Sequence, residues 1–169
     1  MRKNFLILLL AGTVFCALVL SILLTASGDT LYDCTPILAL SPSRCHVGDT
    51  LTMTFTLVPK HTRTVRFYSE MQKNIVVYQL ERSDFLPRTG EIHSETFSPD
   101  HPLICNIVGK VTAAPDNDSA IVDFGKYGQV KVPLGTNIDF YARAYPAVIP
   151  SNDSREWPWS NHATLSVLE

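Results

Sequence analysis

The chain has 169 residues, a formal charge of −2 and an aromatic content of 9%. This length suits one domain with a substantial core, but it does not comfortably accommodate two. The balanced charge, with no basic stripe along the chain, excludes nucleic acid as a partner class.

The first element is an apolar segment, residues 5–24, which follows Arg2 and Lys3. About 20 helical residues suffice to cross the hydrocarbon core of a bilayer. Basic residues precede the segment, and the acidic residues Asp29 and Asp33 follow it, which favours a cytoplasmic N-terminus and a C-terminal domain outside. We therefore predict that residues 1–27 form one transmembrane or signal helix.

Two fates of this segment remain open. Thr25, Ala26 and Ser27 are small enough for cleavage before Gly28, but the apolar run exceeds the roughly 7 to 15 residues usual in a signal peptide. We favour a retained single-pass anchor, and the alternative is a secreted or periplasmic protein cleaved near Ser27. In both cases residues 28–169 form the extracytoplasmic domain.

Three cysteines, Cys34, Cys45 and Cys105, fall in this part, where disulfides can form. If the strand that carries Cys34 turns back at residues 41–43, its cross-strand neighbour lies near Leu51, so Cys45 is badly placed to reach it. A Cys45–Cys105 disulfide is the pairing we favour. Three reduced, buried thiols are the alternative.

The remainder of the sequence has the pattern of strands, because short alternating runs are separated by Pro, Gly, Asn and Asp. The clearest run is LTMTFTL, residues 51–57, in which apolar side chains alternate with threonines, as in a strand that covers a core on one face. Further strands are predicted at residues 35–40, 64–68, 75–80, 103–111, 120–124, 129–132, 138–144 and 163–168, with a short edge strand at 92–97. We therefore predict an all-β domain, a β-sandwich of about eight or nine strands.

Residues 129–168 contain PLGT, then IDFYARAYP, then a polar loop and WSNHATLSV. This part resembles the last hairpin of a fibronectin type III or related immunoglobulin-like domain, and TLTMTFTLVP resembles the second strand of such domains. Phe55 and Ile138 depart from the Trp and Tyr usual in the family. The resemblance implies an immunoglobulin-like β-sandwich but no particular ligand, because that fold serves many functions.

Two polar clusters suggest metal chemistry but fit it poorly. Glu91, His93 and Glu95 would share one strand face, a spacing that can ligate a transition metal, yet only one histidine takes part. Residues 116–119 begin like a calcium loop but lack its later Gly and Glu, so a polar turn is favoured. With no nucleophile motif present either, we predict no catalytic, metal or cofactor site.

The loop of residues 146–162 is the strongest candidate contact surface. Arg155, Trp157 and Trp159 lie there among Pro, Ser and Asn, and Trp and Arg are frequent in interface hot spots. Folding of both tryptophans back over the end of the sandwich is the alternative, and we favour it. The preceding strand carries Tyr145 in a Tyr-Arg-Tyr stripe, which is expected to face solvent or the tryptophans because alanines occupy its other face. Cross-strand stacking of these rings and the arginine is favoured over a ligand platform.

The leading hypothesis is a membrane-anchored, extracytoplasmic, non-catalytic binding or scaffolding module that contacts another membrane or envelope protein. A secreted carbohydrate-binding module is the alternative, with Tyr145, Trp157 and Trp159 stacking on sugar rings. An enzyme or metal protein centred on Glu91, His93 and Glu95 is a third.

Overall fold

The computed structural model describes residue 31 and residues 33–80, 89–147 and 157–168. The predicted N-terminal helix and Arg155 lie outside these ranges. Within them no helix has the length and apolar character needed to span a bilayer. The described chain consists of strands, loops and two single-turn 3-10 helices, Met71–Lys73 and Gly125–Tyr127, with no α-helix, which confirms the all-β class.

Twelve strands form within the described ranges. They are, in chain order, β1 (Cys34–Ser41), β2 (Arg44–Cys45), β3 (Thr50–Pro59), β4 (Arg63–Tyr68), β5 (Ile75–Val77), β6 (Ile92–Phe97), β7 (Leu103–Ala113), β8 (Ser119–Asp123), β9 (Gln129–Pro133), β10 (Asn137–Phe140), β11 (Ala142–Ala144) and β12 (Ala163–Val167).

The largest sheet has five strands in the order β1-β3-β7-β8-β9, and every pair in it is antiparallel. Its central strand β3 confirms the alternation predicted for LTMTFTL. Leu51, Met53, Phe55 and Leu57 are all buried, and the threonines between them face outwards. One side of this sheet is therefore apolar and inward, and the other side faces solvent.

Three smaller sheets complete the domain. They have the orders β10-β12-β2, β11-β5 and β4-β6, and β12 pairs with β2 in parallel. Phe55 of β3, Phe67 of β4 and Phe140 of β10 are fully buried and belong to one core cluster. The small sheets and the five-stranded sheet therefore enclose the same core.

Two asparagine side chains, the buried Asn74 and the exposed Asn161, act as strand partners where the ladder is interrupted. Asn74 accepts a hydrogen bond from the Tyr68 backbone N–H at 2.8 Å and donates one to the Tyr68 carbonyl at 2.7 Å. Asn161 bonds both backbone groups of Leu38 in the same way, at 2.9 and 3.0 Å. A primary amide carries one acceptor and two donors, so it can satisfy a buried peptide unit as a neighbouring strand would.

Several sequence expectations need correction. Twelve strands are present where eight or nine were expected. β2 was not predicted, the edge strand predicted at 92–97 forms β6, and the predicted strand 138–144 divides at Tyr141 into β10 and β11. The partner of Cys34 is Pro59 and not a residue near Leu51. The reason is that residues 42–49 contain β2, so β1 and β3 are joined by a wide connection instead of a tight turn.

Candidate functional site

The β11 region presents the Tyr-Arg-Tyr stripe that the sequence predicted. Ala142 and Ala144 are buried, while Tyr141, Arg143 and Tyr145 are half-buried on the opposite side. Small side chains fit against the core here, and the alternation of a strand then directs the larger ones outwards. The structure therefore confirms the orientation expected for this stripe.

Tyr141 lies at the centre of a stack of rings. The Tyr78 ring packs parallel to it at a centroid distance of 4.4 Å, and the imidazole of His162 packs parallel to it at 5.0 Å. The backbone pairs as well, because the Tyr78 N–H donates to the Tyr141 carbonyl at 2.8 Å. Tyr78 comes from the end of β5 and His162 from the residue before β12, so the stack joins three segments of the chain.

Arg143 continues the stack with a cation. Its guanidinium carbon lies 4.2 Å from the centre of the Trp159 ring and 4.8 Å from that of Tyr145. Among the described residues Arg143 forms no ion pair, and its Nε has no hydrogen-bond partner. Its described contacts are thus with aromatic faces, an arrangement stabilised by the ring quadrupole. Tyr78, Tyr141, Arg143, Trp159 and His162 are called the aromatic surface below.

The two tryptophans have different environments. Trp157 is only 5% exposed and packs edge-on against Tyr145 at 4.9 Å, whereas Trp159 is 36% exposed and packs edge-on against Tyr141. Trp157 thus takes the capping arrangement, and Trp159 remains open to solvent. The structure brings Tyr145, Trp157 and Trp159 together, while Arg155 lies outside the described ranges.

Hydrogen bonds fix the segment that carries Trp159. Ser160 donates its backbone N–H to the Ala142 carbonyl at 2.8 Å, and its hydroxyl accepts the Ala142 N–H at 2.9 Å. The next residue, Asn161, holds Leu38 of β1. Trp159 is therefore positioned by its neighbours in sequence, and its ring remains available on the surface.

The environment of the aromatic surface favours the neutral form of the Tyr141 phenol. Partial burial, reinforced by the Tyr78 hydroxyl, raises the pKa of Tyr141. The acidic neighbour on the same strand side is Asp139, whose carboxylate accepts the Thr164 hydroxyl at 2.5 Å. The surface therefore combines π faces with the guanidinium of Arg143.

The predicted metal-binding candidates do not assemble into a site. His93 Nε2 lies 2.8 Å from a Glu95 carboxylate oxygen on β6, but no three such side chains in the described ranges are grouped to hold an ion. Asp116 in the turn between β7 and β8 instead pairs with Lys131 at 2.5 Å, and this hydrogen bond lowers the pKa of its carboxyl. The first cluster thus contains a contact between two side chains, and the second makes an ion pair with β9.

The three cysteines of the described ranges are free and buried, and the predicted Cys45–Cys105 disulfide is not formed in this structure. Burial raises the pKa of all three thiols, that of Cys34 from 9.0 to about 11. A raised pKa keeps the sulfur protonated, and the thiol is a much weaker nucleophile than the thiolate.

Tyr78 and His162 are the members of the aromatic surface that the sequence did not single out. Their place depends on the register of β5 against β11 and on the path of residues 157–162, which alternation alone does not reveal. No family model, curated protein or solved structure matches this chain.

Proposed function

We propose that this chain is a non-catalytic binding module, held at the outer face of a membrane by residues 5–24, and that the aromatic surface contacts another protein. One observation carries the proposal: two solvent-exposed rings, Tyr78 and Trp159, both pack on Tyr141, and Trp159 also stacks on the Arg143 guanidinium. Tyr78 is 48% exposed and Trp159 is 36% exposed.

The composition of the surface supports a protein partner. Trp, Tyr and Arg are the residues most enriched among interface hot spots, because they bring a large contact area at a low cost in side-chain entropy. Here stacking already restricts the Tyr141 and Arg143 side chains, so little further entropy is lost on binding. Preorganisation of this kind favours tight association.

Photo-crosslinking in the native membrane tests the proposal directly. A benzophenone amino acid would replace Trp159 or Tyr78 in the full chain, with Ile92 as the matched control, since Ile92 is comparably exposed but lies on β6. We expect a specific adduct with another protein at both aromatic positions and none at Ile92. Equal labelling from all three positions would contradict a contact at this surface.

Membrane anchoring is tested separately by fractionation and by the mass of the mature chain. A retained anchor predicts an intact N-terminus and resistance to alkaline extraction. A mature chain beginning at Gly28 in the soluble fraction would contradict the anchor, and a secreted module would remain.

A carbohydrate ligand is the second candidate, because exposed Trp and Tyr rings also stack on sugars. The buried position of Trp157 removes it from this role, so Trp159 and Tyr78 would be the stacking residues. Binding on a glycan array that disappears in Trp159→Ala but persists in Ile92→Ala would favour it. Absence of binding to every sugar would exclude it.

We further infer that the fold is a divergent immunoglobulin-like sandwich. The supporting features are the antiparallel five-stranded sheet and the single core that it shares with the smaller sheets. The parallel β2–β12 pair and the five strands in one sheet depart from the usual seven-stranded arrangement. Backbone nuclear Overhauser contacts that give a different strand order around the core would overturn this assignment.

A further inference from the structure

The solvent-facing side of β1, β3 and β7 contains a long stretch without charged residues. Its outward side chains are uncharged, and most are Thr or β-branched aliphatic: Thr35, Ile37, Ala39, Ser41, Thr52, Thr54, Thr56, Val58, Ile104, Asn106 and Val108. The first outward charge along β7 is Lys110. These eleven residues are called the uncharged face.

Exposed aliphatic side chains concentrate on this face. Ile37 is 43% exposed, Ile104 is 56% exposed and Val108 is 60% exposed. The strand register aligns Ile37, Thr56 and Ile104 in one row across the three strands, and Ser41, Thr52 and Val108 in another. The rows form a continuous surface without charged side chains. A surface of this kind can pack against another sheet.

The pattern of this face is self-complementary. A twofold axis parallel to β3 would lay the face of one copy on that of a second, with β1 of each copy over β7 of the other. Ile37 would then meet Ile104 of the other copy on both sides of the axis, and the threonines of β3 would meet each other along it. Like charges would not be brought together, because these eleven positions carry none.

The same axis is compatible with two chains whose N-terminal segments lie in one membrane. Cys34, where the described strands begin, would lie at the same end of both copies, so two N-terminal segments could enter one bilayer. In this respect the inference rests on the proposed anchor. Leu31 is already buried in the core, so six residues, 25–30, separate the apolar segment from the domain and span roughly 20 Å when extended.

The uncharged face is small for an interface between two proteins. Three strands about 4.8 Å apart, with about 3.4 Å per residue, give a face of roughly 14 by 25 Å. This is below the ~800 Å² that each partner usually contributes to a stable complex. Confinement in a membrane raises the effective concentration and can compensate for a small interface.

We propose that the uncharged face is the contact between two copies of this chain in the membrane. The test is crosslinking of the full chain in its membrane after Thr56→Cys, which places a thiol at the proposed axis. A short bismaleimide would be the probe. Ser94→Cys, on exposed β6, is the matched position, and the chain without an added cysteine controls for its native thiols.

We expect a product of twice the chain's mass from Thr56→Cys, at least fivefold more abundant than from Ser94→Cys. Adding Ile104→Lys should abolish the product, and adding Ile92→Lys should leave it. Val108→Lys serves in place of Ile104→Lys if that variant loses the native circular dichroism spectrum.

Three results would overturn the proposal. One is equal crosslinking at positions 56 and 94, and another is a product that persists in the lysine variants of the face. The third is an adduct whose mass shows a different protein on the face. Recovery of the chain in the soluble fraction would contradict the anchor alone, and crosslinking of the soluble chain would then test the pairing.

Discussion

The aromatic surface and the uncharged face are built in different ways on one small domain. The first is assembled from short strands and loops. Ser160 bonds both backbone groups of Ala142 there, and Asn74 and Asn161 extend the pairing of the neighbouring strands β4 and β1. The second lies on three long strands whose ladder is continuous. The aromatic surface and the uncharged face therefore have different structural supports. Different substitutions should destabilise each of them.

The largest expected effect comes from Asn74→Ala. The substitution would leave the buried Tyr68 N–H and carbonyl without their partner, and we expect a loss of about 3 kcal/mol in the free energy of unfolding. Asn106→Ala, on the uncharged face, is the matched control and should cost less than about 0.5 kcal/mol, because Asn106 is exposed. Urea denaturation measures both. Similar losses in the two variants would show that the supports do not differ.

Alkaline pH should lower the stability of the folded chain through the buried thiol of Cys34. Below pH 9 the thiol of Cys34 is protonated in both the folded and the unfolded chain, so it adds no pH dependence. Between pH 9 and about 11 the unfolded chain loses this proton while the folded chain keeps it, so stability falls as the pH rises. Denaturation at intervals from pH 8 to 11 should show a shallower decline in Cys34→Ala. An unchanged slope would contradict the pKa shift of this buried thiol.

Arg143→Ala should affect the aromatic surface alone. Removing the cation from two ring faces should cost about 1 kcal/mol and free the Trp159 ring. Lys110→Ala, at the edge of the uncharged face, is the control and should be near neutral. Thermal denaturation and tryptophan fluorescence report on both changes. A neutral Arg143→Ala would mean that the rings hold their positions without the cation.

The smallest effect is a difference in quenching between the two tryptophans. In Trp157→Phe the remaining Trp159 is exposed, and acrylamide should quench its emission efficiently. In Trp159→Phe the remaining Trp157 is buried, and quenching should be several times weaker. The reverse order would show that the loop is arranged differently in solution.

The alternation of apolar and polar residues was sufficient to predict most of the strands, because a half-buried strand must alternate. It located β3 and β7 and oriented the Tyr-Arg-Tyr stripe. It missed β2, which has only two residues, and the interruption at Tyr141. The ring stack could not be predicted, because Tyr78 and His162 reach Tyr141 only through strand register.

The two tryptophans show why the candidate site could be predicted only in part. Trp159 was predicted to be a contact candidate from its residue type and its loop, and its exposure is compatible with that role. Trp157 has the same residue type and a neighbouring position but is buried against Tyr145. Side-chain direction within an irregular segment depends on tertiary contacts, so composition could not separate the two.

The pairing of β2 with β12 joins the first and last parts of the described chain. Ser166 lies opposite Arg44, and Asn161 bonds Leu38, so contacts span more than 120 residues of sequence. Such distant pairings are slow to form, and β1 lacks part of its support until the final strand has been synthesised. A chain without β12 would therefore remain incompletely folded, so residues 157–168 are needed to complete the domain.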